Sequence, residues 1–185
     1  MTKRLRLFDA NVSRSLLWCC ESWTLPVRDK QRLQSTERAM LRRFAAPRRA
    51  PDEEYLDWLR RATRSAVDAR EDAGIKSWPA AVAFKKWSWA VHVAHMNKHR
   101  WASRMTAWRD SAWWSGQDHR VSTSRPMRPR PGHYTRWEAE LCKFASAKGW
   151  GHWWQQANES STEEWNELCM QFSKFSTKCL RRDER

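Results

Sequence analysis

Arginine and tryptophan side chains alternate through much of this 185-residue chain, and both residue types can contact nucleic acid. The sequence has 35 Lys and Arg against 21 Asp and Glu, with 15 Trp, and its formal net charge is +14. Cationic side chains neutralise backbone phosphates, and aromatic rings stack on bases. A charge of this size indicates a polyanionic partner, with RNA or DNA the first candidate and an anionic membrane surface the second.

The candidate phosphate-binding residues form short basic runs along the chain. They are Arg28, Lys30, Arg42, Arg43, Arg48, Arg49, Lys85, Lys86, Arg100, Arg104, Arg125, Arg128 and Arg130. The charge is unevenly spread, since residues 1–50 carry +8 and residues 84–136 carry +9, whereas residues 51–83 and 137–185 carry −2 and −1. This alternation predicts a basic surface assembled from separate segments.

Most tryptophans are interpreted as core residues, because the indole ring buries a large apolar area. Trp87, Trp101 and Trp108 have a spacing compatible with one helical stripe, which favours packing. The adjacent pairs Trp113–Trp114 and Trp153–Trp154 are different, since two successive helical positions point in different directions. At least one ring of each pair is therefore expected at the surface, where it could stack on a base.

Two further groups of side chains could carry chemistry. His92, His95 and His99 share a face if one helix continues through them, and three imidazoles can bind Zn²⁺. A polar or phosphate-contacting face is the favoured interpretation. The acidic residues at 52–57 and 163–167 stand at predicted helix starts, where carboxylates favour the helix dipole. The sequence therefore predicts no catalytic residue, no metal and no cofactor.

Five scattered cysteines without a C-x-x-C pair indicate unreactive thiols in a reducing compartment, and therefore a nuclear or cytoplasmic protein. The chain has no run of about 20 apolar residues, the length that a membrane helix needs. The expected partner is RNA or DNA, contacted through its phosphates. Binding to a membrane is not expected.

Few glycines and regular apolar spacing predict an all-α fold, an array of six to seven helices with one flexible connector. The helices are predicted at about 3–23, 28–44, 51–72, 79–96, 99–113, 135–148 and from 161 onward. The expected inward residues are Leu5, Phe8, Val12, Leu16 and Cys19 in the first helix, Leu33, Thr36, Met40, Leu41 and Phe44 in the second, and Tyr55, Leu59, Ala62 and Ala66 in the third.

Three regions follow from this pattern. Residues 1–114 are expected to form a helical nucleic-acid-binding region, and 135–185 a C-terminal helical pair. Residues 115–134 between them are rich in Arg, Pro and Ser and are expected to be a flexible linker. A capping box, Ser161 with Glu164 three residues later, predicts the start of the last helix.

Several ordered segments resemble the region that follows the polymerase domain in LINE-type (non-LTR) retrotransposon reverse transcriptases. Residues 16–25 read LLWCCESWTL and are similar to the family pattern L-L-Y-G-x-E-T-W-T-L. Further similar segments are 5–10, 37–43, 86–96, 128–138 and 163–168. The chain departs from the pattern where Cys19 and Val91 stand in place of Gly, and where His95 stands in place of Arg.

The resemblance implies a non-catalytic region that grips the template–primer duplex through backbone phosphates, beside the polymerase domain of its parent element. The parent activity would be RNA-directed DNA polymerase, but nothing here resembles the Y/F-x-D-D turn that holds its catalytic Mg²⁺. Arg28, Lys30, Arg42, Arg43, Arg48 and Arg49 would contact phosphates. Six such contacts predict a log–log salt slope of about −5 for duplex binding. A domesticated stand-alone adaptor for DNA or RNA, or a nonfunctional remnant, are the alternatives.

Overall fold

The computed structural model describes residues 2–97, 99–102, 137–151, 153–178 and 180. Its helices are α1 (Thr2–Phe8), α2 (Arg14–Leu16), α3 (Val27–Ala45), α4 (Tyr55–Asp72), α5 (Trp78–His95), α6 (Ala139–Ala147), α7 (Trp153–Glu159) and α8 (Thr162–Thr177). A π-helical turn at Asp9–Ser13 joins α1 to α2, and a 3₁₀ turn covers Cys20–Ser22. The described residues contain no strand, which confirms the predicted all-α class.

The chain forms two compact units. The first contains residues 1–86 and 169–185, and the second contains residues 87–168. The boundaries therefore fall inside α5 and α8, and they differ from the predicted regions 1–114, 115–134 and 135–185. Most of the predicted helix 99–113 and all of the predicted linker 115–134 lie outside the described residues. Among those residues, no helix combines the length and the apolar character needed to cross a membrane.

The π-helical turn sets which residues of the N-terminal segment face the core. At about 100° per residue, twelve α-helical steps would place Leu17 roughly 120° from Leu5 around the helix axis. The wider turn absorbs one additional residue, and both leucines are buried. The predicted inward positions Val12, Leu16 and Cys19 are exposed, so the prediction is wrong after Phe8. It assumed an uninterrupted α-helix.

Helices α3 and α4 pack against this N-terminal segment. One apolar cluster joins Leu5 to Leu41 and Ala45 of α3 and to Ala66 of α4. Of the predicted inward residues of α3 and α4, most are buried or half-buried, but Thr36 and Tyr55 are exposed. The Thr36 hydroxyl donates to a carbonyl one turn back, and Tyr55 is the first residue of its helix.

The start of α5 closes the first unit with a buried tryptophan. Trp78 is 1% exposed and packs with Leu17, Cys20 and Val82. Its indole N–H donates to the Ser13 hydroxyl at 2.9 Å, which ties α5 to the π-helical turn. Shifting the register of the turn would therefore break both an apolar contact and a buried hydrogen bond.

The second unit has an aromatic core. The Trp87 ring stacks on Trp165 with centroids 4.9 Å apart and meets the edge of Phe144 at 5.1 Å. Trp150 packs edge-on against the same phenyl ring at 5.7 Å. These contacts confirm the core interpretation of Trp87, and they place Trp165, a residue of one of the similar segments, in the core as well.

The last helix begins where the sequence predicts. The Ser161 backbone N–H donates to the Glu164 carboxylate at 2.8 Å, and the Glu164 N–H donates to the Ser161 hydroxyl at 3.3 Å. This reciprocal pair is the predicted capping box. Helix α7, by contrast, was not expected from the sequence.

Candidate nucleic-acid interface

Helix α3 presents a basic face to solvent, opposite its buried face. Glu37, Leu41 and Ala45 lie on the buried side. The exposed side carries basic residues at both ends and small residues between them, in the order Arg28, Arg32, Ser35, Ala39 and Arg43. The spacing of three or four residues keeps these side chains on one side of the helix.

The length of this face suits a nucleic-acid backbone. The fifteen helical steps from Arg28 to Arg43 correspond to about 22 Å of helix axis, or roughly six base-pair steps of a duplex at 3.4 Å each. The small side chains of Ser35 and Ala39 leave the middle of the face open to a close approach. Its geometry therefore allows several arginines to contact one backbone at once.

The charges on this face are available to a ligand. Within the described part of the chain, the guanidinium groups of Arg28, Arg43 and Arg48 make no hydrogen bond or ion pair. Arg32 pairs with Asp29 at 3.5 Å, but the two side chains are 65% and 44% exposed. Such an exposed pair contributes less than about 1 kcal/mol and yields readily to a phosphate.

The loop after α3 adds two further arginines and is held in place by hydrogen bonds. Arg61 of α4 donates to both carboxylate oxygens of Glu53, at 2.8 and 2.6 Å, and this hydrogen bonding lowers the Glu53 pKa. The Trp58 indole N–H donates to the Pro47 carbonyl at 3.0 Å. Arg49 uses only Nε to reach the Glu53 carbonyl, so its outer nitrogens stay available. We call Arg28, Arg32, Arg43, Arg48 and Arg49 the basic face.

Two lysines predicted to bind phosphate lie in the interior. Lys30 is 6% exposed and donates to the Ser176 hydroxyl at 2.8 Å. Lys86 is 3% exposed and donates to the Trp23 carbonyl at 3.4 Å. Both ammonium groups are bonded within the fold, so neither lysine belongs to the solvent-facing interface. Lys30 lies seven residues before Glu37 and therefore shares its buried side, a signal that the sequence already contained.

Three other residues predicted to contact phosphate lie outside the basic face. Arg42 is half-buried, and its guanidinium donates to the Thr63 hydroxyl at 3.1 Å, joining α3 to α4. Lys85 is exposed and donates to the Leu17 carbonyl at 3.1 Å. Arg100 is exposed and belongs to the second unit. The remaining candidates lie outside the described residues: Arg104, Arg125, Arg128, Arg130, Trp113 and Trp114.

Trp153 and Trp154, an adjacent pair considered for base stacking, differ in exposure, as two successive helical positions should. Trp153 is 1% exposed and meets the Trp137 ring at 6.2 Å, so it belongs to the core. Trp154 is half-buried. Trp101, predicted to pack in the core, is 70% exposed, and Trp18 is 77% exposed. Trp18 was missed as a surface ring because most tryptophans were assigned to the core.

The three histidines do not share a helical face. Helix α5 ends at His95, and His99 follows in a turn. All three side chains are exposed. Across the described ranges, no three His, Cys, Asp or Glu side chains are grouped as a metal site.

A buried polar network fixes the orientation of α3. The Glu37 carboxylate is 1% exposed and accepts from the Trp78 backbone N–H at 3.0 Å and from Arg70 of α4 at 3.5 Å. Burial raises the pKa of Glu37, although the Arg70 guanidinium acts in the opposite direction. The network links α3, α4 and α5, and together with the apolar cluster around Leu41 it holds the buried side of α3 inward. Sequence reasoning assigned Glu37 no structural role.

Neither a family model, nor a curated protein, nor a solved structure matches this chain. The resemblance to LINE-type reverse transcriptases therefore rests on the similar segments themselves.

Proposed function

We propose that this chain is a non-catalytic nucleic-acid-binding region that grips a duplex through backbone phosphates. The observation that carries the proposal is the basic face, in which five arginines extend along the solvent side of α3 and into the next loop. Arginine contacts to phosphate supply affinity without sequence information. Binding should therefore be tight at low salt and indifferent to sequence.

We further propose that the region corresponds to the one following the palm of a LINE-type reverse transcriptase, whose parent activity is RNA-directed DNA polymerase. The backbone at Cys19 supports this origin. Its φ angle is +54°, which makes it the one non-glycine residue with positive φ in the described part of the chain. This is a position where the family pattern has Gly, the residue that adopts this conformation without steric cost. A duplex grip that ignores sequence is also what a polymerase needs, since it must accept any template.

The salt dependence of binding tests the proposed function. The affinity for a fluorescein-labelled DNA duplex is measured by anisotropy across a series of KCl concentrations. Five phosphate contacts give a log–log slope of about −4.5. A second duplex of unrelated sequence should bind equally well. A slope near zero, or strong preference for one sequence, would contradict the proposal.

A stand-alone adaptor derived from such an element would use the same basic face. The two origins differ in the genomic DNA upstream of the coding sequence. A decayed or intact Y/F-x-D-D polymerase domain there supports the reverse-transcriptase origin, whereas an unrelated promoter supports the adaptor.

A further inference from the structure

A groove of about 290 Å³ lies beside the π-helical turn in the first unit. Its charged lining consists of Arg14, Lys76, Lys85 and Asp9, and its apolar lining includes Leu17 and Phe84. Small-molecule sites combine apolar walls with a few convergent polar groups, and this volume is near the lower end of their range. The groove is therefore suited to a ligand with one planar apolar part and one anionic part.

The π-helical turn is responsible for this lining. Because it shifts the register by one residue, Ser13 and Leu17 face inward in place of Val12 and Leu16. The hydrogen bond from Trp78 to Ser13 holds the turn in this position. Single π turns inside helices occur frequently at functional sites.

The cations of the groove retain hydrogen-bonding capacity. The Arg14 guanidinium makes no hydrogen bond or ion pair among the described residues. The Lys76 ammonium lies 4.6 Å from the centroid of the Phe84 ring, a cation–π contact that leaves its N–H donors free for an anion. Lys85 donates one bond, to the Leu17 carbonyl, and an ammonium has three donors. Three cations against one carboxylate favour a dianionic group.

The single carboxylate narrows the choice of ligand. The three cations attract any phosphate, and Asp9 can in addition accept hydrogen bonds from ribose hydroxyls or from a base amino group, which inorganic phosphate lacks. The half-buried apolar side chains of Ile75 and Ala81 in the lining offer a surface to a planar base. We propose that the groove binds a nucleoside monophosphate, with the phosphate on Arg14, Lys76 and Lys85.

This site goes beyond the proposed duplex grip, because it shares no residue with the basic face. The same chemistry could be supplied by a free mononucleotide or by the phosphorylated end of a strand. A fluorescent AMP analogue distinguishes them. Displacement by AMP alone assigns the free nucleotide, and displacement by AMP and by a 5′-phosphorylated trinucleotide assigns the strand end. Displacement by neither overturns the proposal.

Isothermal titration calorimetry of the full chain with AMP tests the residues. We expect adenosine and inorganic phosphate each to bind at least about tenfold more weakly than AMP. A tenfold change in Kd corresponds to ~1.4 kcal/mol of binding free energy. The double variant Arg14→Gln/Lys76→Gln should weaken AMP binding by a similar factor. Both side chains are at or near the surface, and circular dichroism verifies that the variant folds.

Two matched variants complete the design. Arg4→Gln/Arg6→Gln removes two exposed charges from α1 without touching the groove, and Arg28→Gln/Arg43→Gln removes two from the basic face. Both should bind AMP as the unmodified chain does, and the second should lose duplex affinity. The proposal is overturned if inorganic phosphate binds as tightly as AMP, or if all three double variants bind AMP equally.

Discussion

Replacing Arg70 by Met should destabilise the first unit strongly at neutral pH. Arg70 is 7% exposed, and its guanidinium pairs with the buried carboxylate of Glu37 and with the exposed carboxylate of Glu71. Met keeps an unbranched apolar chain of similar length, so the main loss is charge. Removing one partner of a buried pair costs about 3–5 kcal/mol because the other charge stays buried. The contact is long, at 3.5 Å, so we expect the lower end, about 3 kcal/mol.

The destabilisation should depend on pH in a definite direction. Burial already raises the pKa of Glu37, and removing Arg70 takes away the strongest of the influences that oppose this rise, leaving the Trp78 backbone N–H and the Arg38 charge. Above the ordinary carboxyl pKa of 4.5, the folded variant then binds more protons than the unfolded chain. Stability of the variant must therefore fall as the pH rises through this window, and acidification toward 4.5 should relieve most of the loss.

Urea denaturation followed by circular dichroism at pH 4.5 and 7.5 measures both effects. Arg60→Met is the matched control, since Arg60 pairs with Asp57 at 2.9 Å at an exposed site. It should cost less than about 1 kcal/mol at either pH. A cost of Arg70→Met no larger than that of the control at pH 7.5, or the same cost at both pH values, would contradict a stabilising role of Arg70 toward the buried Glu37 carboxylate.

Two further predictions concern the N-terminal segment. Cys19→Gly should stabilise the chain by about 0.5–1 kcal/mol. Glycine relieves a left-handed backbone penalty of about 1–2 kcal/mol, but part of this gain is offset by the larger conformational entropy of glycine in the unfolded chain. A lower thermal midpoint for the variant would contradict the assigned strain. Deleting Asn11 should be tolerated, because the eleven regular helical steps that remain would leave Leu17 about 20° from Leu5 around the helix axis. Deleting Ala39 from α3, by contrast, should rotate Leu41 by about 100° out of the core. Thermal melting compares the two deletions, and equal losses would show that the π-helical turn is not a removable insertion.

The sequence predicts long regular helices well because apolar spacing is a local property. Helix α3 is observed at Val27–Ala45 against a prediction of 28–44, and the capping box at Ser161 is formed as expected. The exposed arginines of α3 follow from the same spacing. Lys30 and Glu37 interrupt the apolar side of α3, and such interruptions indicate buried polar groups with partners.

What the sequence could not provide is the identity of those partners. Arg70 is 33 positions from Glu37 and Ser176 is 146 positions from Lys30, so both pairs depend on the tertiary fold. The π-helical turn was also unpredictable, because its single additional residue is recognised only when the apolar positions on both sides are fixed by packing. This one shift moved Val12 and Leu16 from expected core positions to the surface.

The most direct test of the basic face is the change in salt slope when two of its arginines are removed. Anisotropy titrations with a DNA duplex compare the unmodified chain with Arg28→Gln/Arg43→Gln and with the charge-matched Arg4→Gln/Arg6→Gln. Loss of two phosphate contacts should change the slope from about −4.5 to about −2.7, while the matched variant stays near −4.5. Equal slopes for the two double variants would contradict the assignment of duplex binding to this face.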